Sequence, residues 1–121
     1  MFRAFALLIV TALFFTGCEK PEVDSAGVHY LAALDALDAG NSELALTELD
    51  VSIELEPDAW AYFERARIHA KNESDDLAKR DIQAGLKLDP NNENLKWLKT
   101  ELRKSKEKRF EHGDVPVSSR K

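Results

Sequence analysis

The sequence has few of the residues from which catalytic and metal-binding sites are usually built. Its 121 residues include one cysteine, three histidines and five glycines. The histidines do not cluster, which argues against a metal site. The glycines form no phosphate-binding loop, and neither a Gly-x-Ser-x-Gly turn nor a His-Glu-x-x-His pair occurs. We therefore expect a protein that is not an enzyme and that uses no metal ion and no cofactor.

The single cysteine, Cys18, follows a short apolar leader. The leader opens with Met1-Phe2-Arg3, continues as an apolar run over residues 4–15 in which only Thr11 is polar, and ends on two small residues. A positive start, an apolar stretch and small residues before a cleavage point are the parts of a secretory signal. The run is too short to span a bilayer as a helix. We predict a signal peptide over residues 1–17.

The segment Phe15-Thr16-Gly17-Cys18 resembles the lipobox of bacterial lipoproteins, with phenylalanine where leucine is usual. The resemblance implies that cleavage leaves Cys18 first, carrying a thioether-linked diacylglycerol and an acylated amine. Several acyl chains anchor a protein firmly, because each buried methylene contributes about 0.8 kcal/mol. Glu19, rather than aspartate, implies delivery to the outer membrane, with the domain facing the periplasm. The alternative is an ordinary secretory signal followed by an incidental cysteine.

The chain after residue 17 is long enough for one small domain. Residues 18–25 are predicted to be the lipidated cysteine and a linker. Further on, the segment Leu55-Glu56-Pro57-Asp58 has a counterpart thirty-three residues later, in Leu88-Asp89-Pro90-Asn91. A period of this length is typical of stacked helical hairpins.

The two copies resemble the tetratricopeptide repeat. Each has a small residue in its first helix, an alanine opening the second, a large apolar residue a turn later, another small residue and a final proline. The pairs are Ala33 and Ala66, Ala45 and Ala78, Leu49 and Ile82, Ser52 and Gly85, and Pro57 and Pro90. The resemblance implies an all-α solenoid over 26–110, with hairpins over 26–58 and 59–92 and a capping helix over 93–110. The composition of residues 111–121 predicts a disordered tail.

Individual residues predict where some helices begin and end. Gly40 suits the left-handed position after a helix, and Ser74 suits an N-cap. Asp75 and Lys79 are four residues apart with the acid first, which favours a surface ion pair. Arg65 departs from the repeat pattern, because it falls where leucine normally enters the hairpin core.

The inner surface of the predicted stack is the candidate binding site. Two repeats are few for a stable array, and the first helix is apolar almost all round, as expected of an element buried on more than one side. We expect a groove, apolar at one end and cationic at the other, that binds a peptide with an acidic group. Its residues are Tyr30, Leu34, Leu37, Phe63, Arg67 and Lys71. The alternative is that the chain's own tail or a second copy covers this surface.

Charge is distributed unevenly along the chain. Residues 18–95 contain 7 Lys and Arg against 18 Asp and Glu, whereas residues 96–121 contain 9 against 4. One interpretation is docking on anionic lipid head groups, worth up to about 1 kcal/mol per residue, by Arg103, Lys104, Lys106, Lys108 and Arg109. The other is a solvated cap that offsets the acidic body. Nucleic acid is not expected, because no aromatic stacking surface accompanies the basic stripe.

These patterns together predict a membrane-anchored, non-catalytic adaptor of the bacterial cell envelope that binds a protein or peptide partner. Lipoproteins with similar repeats assist pilus assembly, outer-membrane protein insertion and the recruitment of envelope enzymes, and the sequence does not choose among these roles. The alternative is a structural or self-associating subunit of a larger envelope assembly.

Overall fold

The computed structural model describes residues 25–114, which form five α-helices and one turn of 3₁₀ helix. The described residues contain no strand, and the predicted all-helical class is confirmed. The predicted signal peptide, Cys18 and the linker up to residue 24 lie outside the described residues, as do residues 115–121. The elements are α1 (Ala26–Asp38), α2 (Ser42–Leu55), α3 (Ala59–Lys71), α4 (Asp75–Leu88), α5 (Glu93–Glu101) and the 3₁₀ turn Lys106–Lys108.

Consecutive helices pack side by side in chain order. The most extensive contacts join α1 with α2 and α3 with α4, which makes two helical hairpins. The hairpins meet through α2 and α3, and α5 packs on both α3 and α4. This arrangement is consistent with a short α-solenoid.

Polar side chains begin most of the helices. Ser25, Asn41, Asp58 and Asn92 accept hydrogen bonds from backbone amides in the first turns of α1, α2, α3 and α5. Ser74 occupies the predicted N-cap position of α4, although its side chain makes no capping hydrogen bond. Two acidic residues in the first turn of α4 favour its N-terminus through the helix dipole.

The first helix of each hairpin ends in the same backbone conformation. Gly40 follows α1 with φ 76°, and Glu73, thirty-three residues later, follows α3 with φ 59°. Immediately after each, an amide reaches back across the last turn, from Asn41 to the Ala36 carbonyl and from Ser74 to the His69 carbonyl, both at 2.8 Å. These bonds satisfy carbonyls that the helix leaves open, so the left-handed position predicted at Gly40 is confirmed.

Small side chains allow the helices to approach closely. Ala33, Ala45, Ala66 and Ala78 are all 0% exposed. At Gly85 an added methyl group would be only 2.6 Å from Leu95 Cδ1, so α5 packs directly on the α4 backbone.

The buried apolar residues form two clusters, and the first, centred on α1 and α2, also takes in Ala61 and Ile68 of α3. The first cluster includes Leu49 and Ile53, and the second, which also takes in α5, includes Ile82, Leu95 and Leu98. Most other members are alanines, so the two cores are thin layers between closely spaced helices.

Arg65 stands at a core position of the pattern and links three helices by ion pairs. Its guanidinium donates to both carboxylate oxygens of Asp81 on α4, at 2.9 and 2.7 Å, and to Asp50 on α2, at 2.8 Å. It also lies 5.6 Å from the centre of the Tyr62 ring. The hydrogen bonds to Asp81 raise the pKa of Arg65 above its ordinary value. A two-pronged pair of this kind fixes orientation as well as distance, so a charged side chain here joins the hairpins.

The capping helix is shorter than the predicted span of 93–110. It ends at Glu101, and a turn and the 3₁₀ segment follow. Arg109 terminates it from outside: its guanidinium donates to the carbonyls of Leu102 and Lys104 and to Asp75 at the start of α4. These bonds hold the chain folded back on the domain, which a continuing helix could not allow.

Replacement of Gly85 by alanine tests the close packing of α4 and α5. The added methyl group meets Leu95, which is completely buried, and we expect a loss of about 1–3 kcal/mol in the free energy of unfolding. Gly27 is the matched control, because it is also helical but has open space around it, so Gly27→Ala should gain about 0.5–1 kcal/mol. Urea denaturation followed by circular dichroism measures both. Equal effects of the two substitutions would contradict close packing at Gly85.

Candidate functional site

Three of the six predicted groove residues line one depression. Leu37, at the end of α1, and Arg67 and Lys71, in the last turns of α3, surround a space of about 440 Å³ together with Asp114. We call this space the cationic depression. It lies between the first helices of the two hairpins, which is the place that the repeat pattern gave to the cationic end of the groove.

The other three predicted residues do not extend this depression. Phe63 is 2% exposed and belongs to the buried cluster of the second hairpin, so the prediction that it lines an open groove is wrong. Tyr30 lies in a separate, smaller depression of about 210 Å³ with Ser52 and Asp58. Leu34 is half-buried on α1. The predicted continuous groove is therefore two separate depressions.

A carboxylate of the chain itself occupies the cationic depression. One oxygen of Asp114 lies 2.9 Å from Lys71 Nζ and 3.3 Å from Arg67 Nη1. Arg67 also donates from Nε to Glu64 at 3.0 Å. The two cations thus face Glu64 on the same helix and Asp114 after the 3₁₀ turn, and a third carboxylate, Asp38 at the end of α1, also lines the depression.

Burial acts to raise the pKa of each acidic group of this region, and the nearby charges add to this effect or oppose it. Burial raises the pKa of Glu64 above its ordinary value, although Arg67 opposes the change. At Asp114 burial also acts upward, but the hydrogen bond from Lys71 and the charge of Arg67 lower its pKa overall. Burial, with the nearby charges of Glu64 and Asp58, raises the pKa of Tyr30 to about 12. Of these three groups, Asp114 is therefore the one whose ionised form Arg67 and Lys71 stabilise overall.

The segment 111–114 is part of the folded domain, contrary to the prediction of a disordered tail over 111–121. Gly113 has φ 99° and donates its amide to the Phe110 carbonyl at 2.9 Å, which turns the chain so that Asp114 reaches α3. Sequence reasoning missed Asp114, because its surroundings have a polar composition typical of tails. The contact of Asp114 with α3 agrees with one alternative from the sequence, in which the chain's own tail covers the inner surface of the stack.

The basic residues predicted to dock on lipid are not equally available. Arg109 has a side chain only 8% exposed, and its two Nη atoms lie 2.8 and 2.9 Å from the Asp75 carboxylate. Lys104 pairs with Glu101 at 2.6 Å, and Lys106 pairs with Glu73 at 3.0 Å. Arg109 therefore does not belong to a lipid-binding surface.

Arg103 and Lys108 remain exposed in the basic stripe. They form no ion pair with any described residue, unlike the other three members of the predicted set. The predicted pair of Asp75 with Lys79 does not form either, since Arg109 takes the Asp75 carboxylate.

The described part of the chain contains neither a cluster of metal-ligating side chains nor a membrane-spanning helix. Among residues 25–114, no three His, Cys, Asp or Glu side chains are grouped so that they could hold a metal ion. None of the helices in this range combines the length and the apolar character needed to cross a lipid bilayer.

The comparisons with known proteins give one partial similarity. No family model matches the chain, and no solved structure matches it. Over 55 residues the chain is 44% identical to bacteriophage adsorption protein A of Escherichia coli (strain K12). The aligned residues are 46% of this chain and 6% of that protein, so the chain corresponds to a small part of its length.

Substitution of Arg109 by glutamine tests the clamp that holds the C-terminal segment. Phe110 lies 6.0 Å from the Trp97 ring centre, so release of the segment should shift Trp97 emission to longer wavelength. We expect Arg109→Gln to lower the free energy of unfolding by about 1.5–3 kcal/mol, because hydrogen bonds from a charged group are removed. The measurement uses a Trp60→Phe background, since Trp60 is 50% exposed and would add its own signal. Lys108→Gln is the charge-matched control and should leave the emission unchanged.

The same clamp predicts a dependence on pH. Hydrogen bonds from Arg109 lower the pKa of Asp75 in the folded chain. Its contribution to stability is therefore complete above the ordinary carboxyl pKa of about 4 and is lost as the pH falls through the lowered value. Trp97 emission should shift in this acid range in the parent chain, and the step should be smaller in Arg109→Gln. A smaller step remains because Glu101, which accepts a hydrogen bond from the Phe110 amide and has a lowered pKa, still titrates. An identical acid transition in both would contradict the clamp.

Proposed function

We propose that the chain is a non-catalytic adaptor of the bacterial cell envelope that binds an acidic group of a protein partner in the cationic depression. The observation that supports this most directly is the position of Asp114, whose carboxylate lies between Arg67 and Lys71. The chain thereby supplies its own example of the ligand chemistry. An extended peptide with an aspartate or glutamate would make the same two contacts.

Asp114 is held weakly enough to be displaced. Its side chain is 37% exposed and that of Lys71 is 53% exposed, and ion pairs open to water contribute about 0–1 kcal/mol. Against this, Asp114 is on the same chain and competes at an effective concentration on the order of millimolar. A partner must therefore add contacts beyond the acidic group, and Leu37 in the same depression offers an apolar one.

We further propose that Cys18 carries the lipid anchor and that the domain faces the periplasm from the outer membrane. The lipobox-like segment before Cys18 and the glutamate after it support this proposal. The name of the partly similar protein agrees with an envelope location, since bacteriophage adsorption occurs at the cell surface.

A second candidate function is that of a self-associating subunit. Val28 and Leu31 lie three residues apart on α1 and are 55% and 61% exposed. Apolar side chains exposed on one helix face favour contact with another protein surface. A second copy of the chain is one such surface.

Site-directed photocrosslinking in cells tests the adaptor function. A photoreactive residue at Asn72, which lines the cationic depression, should capture a discrete partner, whereas one at the exposed Thr47 on α2 should not. Removal of the competing carboxylate by Asp114→Asn should raise the yield several-fold. Lys71→Gln should lower the yield, and Arg80→Gln, a charge-matched control at an exposed position outside both the depression and the space between α4 and α5, should not. A crosslinking yield that changes in neither Lys71→Gln nor Asp114→Asn would exclude this site. Capture of a second copy of the chain would favour the self-associating subunit.

Labelling with palmitate in cells tests the anchor independently. The parent chain should incorporate the label and sediment with membranes, because several acyl chains are needed for firm attachment. Cys18→Ser should abolish both properties, and Glu19→Gln, which keeps the cysteine, should retain the label. If Cys18→Ser still incorporates palmitate, or if the parent chain does not, Cys18 is not the attachment point.

A further inference from the structure

A groove between α4 and α5 is separate from the cationic depression. It has a volume of about 600 Å³, which is within the range of roughly 300–1,000 Å³ typical of ligand sites. Its apolar residues are Ile82 and Leu102, which are 3% and 8% exposed, and Leu86, which packs on the second core cluster. An apolar floor along two helices is a surface that another helix can cover.

The edges of this groove are cationic. Lys79 and Lys87 lie eight residues apart on α4, about 12 Å along its axis at 1.5 Å per residue. Lys99 and Arg103 form the opposite edge. No carboxylate is among the groove's lining residues, and within residues 25–114 none of the four cations forms an ion pair. Four unneutralised cations around one groove favour an anionic occupant.

The stacking order shows what kind of element fits. α1 pairs with α2, and α3 pairs with α4, but α5 has no following helix among the described residues. The segment after α5 instead crosses to the start of α4, through Arg109 and Asp75, and then to the end of α3, through Asp114 and Lys71. It therefore leaves the groove uncovered. Residues 115–121 do not suit it as occupant, because their charged residues are Arg120 and Lys121.

We propose that the α4–α5 groove binds an acidic amphipathic helix of a partner protein, which takes the place of the next helix in the stack. The apolar face of this helix lies mainly on the half-buried Leu86, beside the small exposed parts of Ile82 and Leu102. Carboxylates on its two flanks pair with the cations of the two edges. The site is independent of the cationic depression, so the two can be tested separately.

A peptide of residues 41–56 is the probe, because it contains the acidic helix α2 with five carboxylates and no lysine or arginine. A control peptide carries amides in place of the five carboxylates. Fluorescence anisotropy measures the binding of each labelled peptide to the full chain in zwitterionic lipid nanodiscs. We expect the acidic peptide to bind and the amide peptide to bind about tenfold more weakly, with an affinity that falls as salt is added.

Paired variants of the full chain locate the binding. The double variant Lys79→Gln with Lys99→Gln, which removes one cation from each edge, should lower the affinity for the acidic peptide about tenfold. Arg80→Gln with Lys108→Gln removes the same charge from exposed positions outside the groove and should change the affinity less than about twofold. Lys71→Gln should also leave it unchanged, so failure here is distinguishable from failure at the cationic depression. The proposal is overturned if the two peptides bind with equal affinity, if the two double variants have equal effects, or if the acidic peptide does not bind.

Two further outcomes would assign the groove to another occupant and also overturn the proposal. In the first outcome, anionic lipid added to the nanodiscs displaces the peptide, and the Lys79 and Lys99 double variant no longer binds vesicles. These results would make the groove a membrane-facing surface. A salt-sensitive dimer of the parent chain that this variant abolishes would make the occupant a second copy.

Discussion

The close approach of neighbouring helices at small side chains is the constraint on which the rest of the structure depends. Alanines at 33, 45, 66 and 78 are wholly buried, and Gly85 lets the Leu95 side chain rest against the α4 backbone. Because the helices approach so closely, two thin layers of apolar side chains are enough to hold the hairpins. The cationic depression lies where the end of α1 comes near the last turns of α3, and the second groove lies between α4 and α5.

Arginine side chains supply the orientation that thin apolar layers do not. Arg65 joins α2, α3 and α4 through Asp50 and Asp81, and Arg109 fastens the C-terminal segment to α4 through Asp75. Guanidinium groups suit this role because they bind carboxylates with two parallel hydrogen bonds. These pairs also decide which charges stay free for partners. With Asp75 bound to Arg109, Lys79 is left facing the α4–α5 groove.

The sequence predicted the helical class, the period of the hairpins, the small residues at the close contacts and the left-handed turn at Gly40. Each of these depends on local conformation or on a spacing that recurs along the chain. It did not predict that Ser74 leaves α4 uncapped, that the last helix ends at Glu101, or that Phe63 is buried. The last two features depend on distant partners: Arg109 ends the helix from outside, and α5 helps to cover the cluster that contains Phe63.

For the sites, the sequence by itself determined the residue chemistry: a cysteine after an apolar leader, and cations near the end of α3 and after α5. Only the tertiary structure decided which charges meet. Asp114 is forty-three residues from Lys71, and no periodicity relates them, yet they are 2.9 Å apart. The reason is physical. Helix-forming patterns repeat every few residues, whereas an ion pair forms wherever folding brings two opposite charges together, and that position depends on every packed contact between them.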